Sequence, residues 1–274
     1  MFPGATSDRD DADYVVVGAP LDVSTTFQPG TRFGPERIRR FARTYDDYDA
    51  RTGQRFSTLG VHDHGDVRAW DDAAEYLEYL EGVATDAVWD EAVPLILGGE
   101  HTVTLAGVRA VEPDVFVCLD AHLDLRSEYD GNELSHATLT RHALEVADEA
   151  VVLGARTGSE DEWERAKEDD VTVIAPEDVA DWTPDFGGED QSVYLSVDID
   201  AADPGFAPGT GTMEPFGLHP REMRDVVRDV AATEAVEGFD VVEVNDRDDG
   251  QSAALAGKLL REFVFADAQI SDDE

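Results

Sequence analysis

The sequence predicts an α/β protein: a mainly parallel sheet covered by helices on both faces. Two observations carry this expectation. Seven short runs rich in Val, Ile and Leu recur along the chain, apolar throughout rather than at alternate positions, as strands buried on both faces require. The segments between them show helical spacing, and such alternation is the pattern of parallel strands joined by crossover helices.

The first strand is expected at 14–20 (YVVVGAP), followed by a glycine/proline loop that enters a helix at Pro35 and continues as PERIRRFARTY, 35–45. Residues 71–89 (DDAAEYLEYLEGVATDAVW) read as a second helix, and VPLILGG (93–99) and DVFVCLD (114–120) as the next two strands. HATLTRHALEVAD (136–148) is a helix, AVVLGAR (150–156) a strand and SEDEWERAKED (159–169) a helix. VTVIAP (171–176) and VYLSVDID (193–200) are strands, HPREMRDVVRDVAATEAV (219–236) a helix, FDVVEVN (239–245) the last strand and GQSAALAGKLLREFVF (250–265) the last helix. With 274 residues, 42% apolar content and no linker-like stretch, one domain spanning 1–274 is expected.

Charge excludes several kinds of partner. The formal net charge is -41, from 62 acids against 21 bases, and Lys167 and Lys258 are the only lysines. Nucleic acid and anionic membranes are therefore not expected as partners. The acidic blocks lie mostly between core elements, which points to a solvated surface suited to concentrated salt, with stability rising as salt screens it. No basic leader or span-length apolar stretch is present, so a soluble, cytoplasmic protein is expected. Cys118, the only cysteine, lies in an apolar run and reads as a buried, inert thiol.

In so acidic a chain, histidine is the better guide to chemistry. Of seven histidines, His101 and His122 directly follow strand runs and His136 lies a short loop beyond. Four runs end on unusual residues: Gly98, Gly99, Glu100 and His101; Asp120, His122 and Asp124; Asp198 and Asp200; Glu243 and Asn245. Ligand crevices in open parallel sheets lie beyond the carboxyl ends of the strands, so these four ends are expected to converge. Alternate residues of extended chain face the same way, so Asp120, His122 and Asp124 can address one centre, as can Asp198 and Asp200. Carboxylates gathered there repel unless a cation offsets them, and imidazole with carboxylate oxygen suits Mn²⁺, Zn²⁺ or Fe²⁺. Four carboxylates and two imidazoles suffice for two metals. The structural alternative is a solvated strand end at DAHLD and a helix-capping role for His101.

GGEHT (98–102), DAHLD (120–124), SVDIDAADPGFAPGTGTMEP (196–215) and DVVEVN (240–245) resemble, in order and spacing, the four signatures of the ureohydrolases, the arginase and agmatinase family. GAPLDVSTTFQPGTRFGPERIR (18–39) resembles the agmatinase N-terminal segment. The resemblance implies a three-layer α/β/α fold and two Mn²⁺ per subunit, one held by His101, Asp120, Asp124 and Asp198, the other by His122, Asp120, Asp198 and Asp200. It further implies a metal-bridging hydroxide as nucleophile, with Asp124 hydrogen-bonding it and passing on its proton. His136 would protonate the departing amine, its ordinary pKa near 6.5 suiting that role. Glu243 would hold the guanidinium, since an acid in an apolar strand needs a cationic partner. Trimers or hexamers are usual in the family. Two positions depart from its pattern: Asp246 stands where many relatives have proline, and Ala137 of SHAT where glycine is common.

Acids at Glu128, Asp130 and Glu133 in the loop RSEYDGNELS (126–135) disfavour an α-carboxylate, which points to agmatine, cleaved to putrescine and urea. Arg126 and Asn132 leave arginine open, and other guanidino compounds such as guanidinobutyrate remain alternatives. A non-catalytic metal-binding scaffold on the same fold is a further reading, but no ligand position is missing. A nucleotide-binding enzyme is disfavoured by the absence of GxGxxG and GxxxxGK[ST]. Arg32 reads as pairing with the acidic background, and APGTGTMEP (207–215) as a rigid loop beside Asp200.

Overall fold

The computed structural model describes residues 1–68, 71–186, 191–233 and 235–271. Its strands are β1 (Tyr14–Ala19), β2 (Val61–Asp66), β3 (Val93–Gly98), β4 (Val115–Leu119), β5 (Glu149–Leu153), β6 (Val171–Ile174), β7 (Val193–Asp198) and β8 (Val236–Val242). The helices are α1 (Gly34–Ala42), α2 (Ala73–Trp89), α3 (Thr104–Val111), α4 (Leu139–Ala143), α5 (Glu160–Arg165), α6 (Pro220–Ala231) and α7 (Gln251–Ser271). All eight strands form one sheet in the order β2-β1-β3-β8-β7-β4-β5-β6. Every pairing is parallel, so the sheet expected to be mainly parallel is wholly so among the described residues.

Strand side chains alternate between two cores. Val16, Leu95, Leu97, Val117, Leu195 and Val241 pack with residues of α1, α6 and α7 such as Ile38, Val227 and Leu260. Their neighbours Val17, Ile96, Phe116 and Tyr194 face the other way, against Tyr76 and Leu80 of α2, Val108 of α3 and Leu139 of α4. Both faces being covered explains the unbroken apolarity of the strand runs, and gives the three-layer arrangement.

Several boundaries differ from expectation for local reasons. β2, with the sequence VHDHGD, was not anticipated: it is an edge strand with only alternate residues buried. α3 was also missed, being eight residues long with no side-chain N-cap. Its Gly107 lies where a Cβ would sit 2.1 Å from the Tyr194 hydroxyl, so close packing rather than helix propensity selects the residue. The helix expected at 219–236 ends at Ala231, and β8 already begins at Val236. The helix expected at 136–148 reduces to a 3₁₀ turn, His136–Thr138, and the short α4.

The topology positions the site. The chain builds β2, β1 and β3 together, then crosses to β4, and β7 and β8 fill the gap. As a result β3, β8, β7 and β4 are adjacent in the middle of the sheet, and these are the four strands whose ends carry the unusual residues.

Candidate metal centre and active site

Beyond β3, His101 opens a 3₁₀ turn and is fully buried, its Nδ1 3.1 Å from Asp120 Oδ2, 3.1 Å from Asp124 Oδ2 and 3.5 Å from Asp198 Oδ2. Half-buried His122 places Nδ1 3.0 Å from Asp200 Oδ2 and 3.6 Å from Asp120 Oδ1. Asp120 thus lies between the two imidazoles. The six predicted ligand positions come together in two overlapping groups.

They do so by a different route from the extended geometry expected of them. β4 ends at Leu119 and β7 at Asp198, and Asp200 sits in a 3₁₀ turn. Asp124 has φ of 51° and Glu243 φ of 61°, both in the left-handed region that residues with a Cβ seldom adopt. Backbone strain of this kind clusters at functional sites, where surrounding structure over-determines it. Here Glu243 N–H donates to Gly99 O at 2.8 Å and Arg141 N–H to Asp124 O at 3.2 Å, while the neighbouring carboxylates are fixed by main-chain donors: His122 N–H to Asp120 Oδ1 at 2.7 Å, Asp200 N–H to Asp198 Oδ1 at 2.8 Å and Ala121 N–H to Asp200 Oδ1 at 3.1 Å.

A second layer orients His101. Its Nε2 lies 3.1 Å from Ser196 Oγ, which donates to Asp240 Oδ1 at 2.6 Å, while Tyr194 donates to Asp240 Oδ2 at 2.9 Å. With Nε2 engaged in this chain, Nδ1 is left to the carboxylates, and it makes no well-formed hydrogen bond despite being buried. A buried imidazole nitrogen without a hydrogen bond, facing three carboxylates, suits a cation, and hydrogen bonding behind a ligating histidine is the usual support for one. Cys118 Sγ is 3.7 Å from His101 Nε2, and burial pushes its thiol well up, as an inert thiol requires.

The electrostatics carry the same message. Burial and then the charges of Asp200 and Asp120 push the Asp198 carboxyl well above the usual range, and burial with the Asp120 charge pushes Asp124 up to about 6. For Asp120, burial is outweighed by its two imidazole neighbours, which hold it below the usual range. Burial likewise disfavours a charged His122, but Asp200 and Asp120 outweigh it and raise its pKa strongly. Such a group of acids calls for positive charge, which protons or metal ions can supply.

Next to this cluster, His136 follows the N-cap Ser135 and is buried, its Nδ1 3.1 Å from Glu243 Oε1. Position at the start of a helical turn and orientation toward the site are therefore compatible. Burial alone would lower the His136 pKa, but the hydrogen bond and charge of Glu243 outweigh it and raise the pKa to about 9, above the ordinary value expected. Glu243 Oε1 also accepts the His101 main-chain N–H at 2.9 Å, whereas Oε2 is buried without a hydrogen bond. The cationic partner expected for Glu243 is, in this state, His136.

A cavity of about 400 Å³ opens beside these groups, lined by His122, Asp124, His136 and Asp198 and, on another wall, by Arg126, Tyr129 and Glu162. Glu128, Asp130 and Glu133 are not among the lining residues; Asp130 and Gly131 instead form the tight turn between Tyr129 and Asn132. The acid beside Arg126 and Tyr129 is Glu162, which sequence reasoning missed. Its Oε2 accepts the Ser159 N–H at 2.8 Å and lies 3.2 Å from Arg126 Nη2. The S-x-x-E spacing marks Glu162 as a helix-capping residue, and nothing in the spacing indicates a cavity. Asp240 was also passed over, although a charged residue within an apolar strand was the available signal, whereas Glu100 was singled out at a strand end without a role being given to it. Arg32 pairs with Asp22 at 2.6 Å, as expected of it, and Thr212 of the 207–215 loop donates to Asp200 at 3.3 Å.

A parallel sheet between two helical layers, with buried histidine, aspartate and glutamate at the ends of its four middle strands, defines an α/β protein with a candidate metal centre. The chain belongs to the arginase family, whose model matches residues 12–266. It is thus a hydrolase of the ureohydrolase group. It is 34% identical over 270 residues to the agmatinase of Pyrococcus horikoshii, covering 93% of this chain and 92% of that one. It is 33% identical over 260 residues to the N(1)-aminopropylagmatine ureohydrolase of Thermococcus kodakarensis, covering 91% and 88%. Among solved structures, the agmatine ureohydrolase of Thermoplasma volcanium superposes with a TM-score of 0.91 at 31% identity, covering all of this chain and 96% of that one.

Proposed function

We propose that the protein is an agmatinase, a manganese-dependent enzyme that hydrolyses agmatine to putrescine and urea. The observation that carries this reading is the buried, unbonded Oε2 of Glu243 beside His136 and the His/Asp cluster: a carboxylate oxygen ready to accept from a guanidinium. His101, Asp120, Asp124 and Asp198 would hold one Mn²⁺, and His122, Asp120, Asp198 and Asp200 the other. When bound, the pair supplies Lewis acidity that ionises water near neutral pH and offsets the repulsion among the aspartates.

The chain's own residues do the rest. Glu243 orients the guanidinium so that its carbon faces the aspartates, and Asp124 accepts the proton released as water adds. His136, held protonated by Glu243, donates to the departing amine, which would otherwise be a poor leaving group. Glu162 on the cavity wall attracts the distal ammonium of agmatine and would repel the α-carboxylate of arginine. Arg126 on the same wall supports a second reading, a guanidino acid such as guanidinobutyrate, should that side chain turn from Glu162 toward a carboxylate. We further read the chain as a single catalytic domain over 1–274, cytoplasmic, active in polyamine synthesis and assembled as a trimer or hexamer; family likeness supports these points. Among the described residues no helix is long and apolar enough to cross a membrane.

The test is urea release by protein purified in strong salt, stripped of metal, reloaded with Mn²⁺ and offered agmatine, arginine and guanidinobutyrate separately. Turnover of agmatine that an Asp124→Asn variant loses is the expected result. Turnover of arginine or guanidinobutyrate alone would keep the chemistry and transfer the specificity to Arg126, and no urea from any of them would overturn the reading.

A further inference from the structure

The segment joining β1 to α1 crosses the carboxyl ends of the central strands, and none of the roles above uses it. It is fixed at several points. Asp22 accepts from Gly30 N–H at 3.0 Å and pairs with Arg32 at 2.6 Å, closing the base of the loop. Leu21 passes so close to Gly99 that a Cβ there would lie 2.0 Å from Leu21 O. The buried carboxylate of Glu100 accepts from Ser24 N–H at 2.7 Å, from the Ser24 hydroxyl at 2.6 Å and from the Thr102 hydroxyl at 3.0 Å. Ser24 Oγ, with its proton on Glu100, accepts the His136 main-chain N–H at 3.0 Å.

Two residues on, exposed Thr26 meets the His136 ring, its N–H 3.2 Å and its Oγ1 3.0 Å from Nε2. We propose that Thr26 is a positioning residue for His136, holding the ring with Nδ1 turned to Glu243 while a proton is given up and regained. A neutral ring that accepts the Thr26 N–H at Nε2 carries its proton on Nδ1, where Glu243 Oε1 receives it. A protonated ring carries a hydrogen on Nε2 as well, which the amide cannot accept. The Thr26 hydroxyl can, because it rotates between donor and acceptor. Valine at this position would leave the protonated ring facing only an amide donor. The charges around the ring come from separate elements: Glu243 after β8, Asp124 after β4 and Glu100 after β3. Glu100 acts one step further back, by locking the loop that carries Thr26.

This role rests on His136 as the general acid, so the experiment separates the two claims. Steady-state kinetics with agmatine are measured on the Mn²⁺-loaded wild type, Thr26→Val, Thr26→Ser, His136→Asn and the Thr26→Val/His136→Asn double variant. Thr26→Val is expected to lower kcat about 5- to 10-fold, the worth of one hydrogen bond, with KM unchanged. Thr26→Ser should restore kcat to within about twofold, and Thr26→Val should add nothing in the His136→Asn background. Wild-type kcat in Thr26→Val, failure of serine to restore it, or the same loss in both backgrounds would overturn the inference. Wild-type kcat in His136→Asn would instead remove the general-acid role, and a Thr26→Val loss persisting there would assign Thr26 to something other than His136.

Discussion

Asp198 at the end of β7 and Glu164 on α5 carry the same chemical group under opposite conditions. Asp198 is 3% exposed, and burial with the charges of Asp200 and Asp120 pushes its pKa well up. Glu164 is exposed, and a hydrogen bond from Lys167 lowers its pKa. One is a group whose charge must be offset from within the site; the other is satisfied by water and a flexible neighbour. In a chain with 62 acids, acidity therefore marks nothing, and burial narrows the field to a few carboxylates, from which those paired with arginine, such as Asp22 and Asp63, are then set aside.

The sharpest way to break this contrast is substitution. Asp198→Ala removes a carboxylate from the reach of His101 and should lower manganese-dependent urea release by about a thousandfold or more, while Glu164→Gln leaves it unchanged. Comparable losses from both would mean that burial is the wrong criterion.

Metal removal gives the next largest effect. In the metal-free protein the Asp124 pKa is raised from 3.8 to about 6, so between these values the folded state binds more protons than the unfolded state. Stability from this group is then present at low pH and lost as pH rises through about 6. Metal binding must displace those protons, so manganese affinity should climb over the same interval. Thermal denaturation of chelated and Mn²⁺-loaded protein from pH 5 to pH 8 should show the gap between them widening with pH; a constant gap would contradict it.

The same contrast explains what the sequence could and could not reveal. The strand runs were legible because both sheet faces are covered, and the clustered strand-end residues because they come at or just after such runs. β2 was hidden because half of an edge strand is solvated and its composition reads as loop. The convergence of Asp120, His122 and Asp124 was right for an incomplete reason: strand alternation suggested a shared face, whereas Asp124 reaches the centre through a left-handed turn. Glu162 and Thr26 were illegible because what brings each to the cavity lies far from it in sequence. One caps a short helix whose end meets the cavity, and the other lies on a loop pinned by Glu100 from β3.

Glu162 lies between the two extremes, 4% exposed but already served by Ser159, Leu125 and Arg126. Glu162→Gln keeps an acceptor for the helix cap and removes the charge. KM for agmatine should rise about 5- to 10-fold with kcat nearly constant, as expected when binding common to ground and transition states is lost. A fall in kcat at fixed KM would place Glu162 among the groups that act in the transition state.

The smallest effect belongs to the surface. Glu78 and Asp86 are exposed on α2, in a chain whose net charge of -41 makes each acid one small part of a general self-repulsion. Neutralising both, as Glu78→Gln with Asp86→Asn, should raise Tm by only about 1–3 °C in dilute buffer, within the range of ordinary surface substitutions. Screening sets the dependence on salt: the Debye length falls from about 10 Å at 0.1 M to about 3 Å at 1 M, so the gain should fade as salt is added while the wild type itself becomes more stable. The buried aspartates lie beyond the reach of such screening, and the metal requirement should be the same at both salt concentrations. A manganese requirement that disappeared in strong salt would mean that mobile counter-ions can satisfy the strand-end carboxylates, and that they differ from Glu78 only in degree.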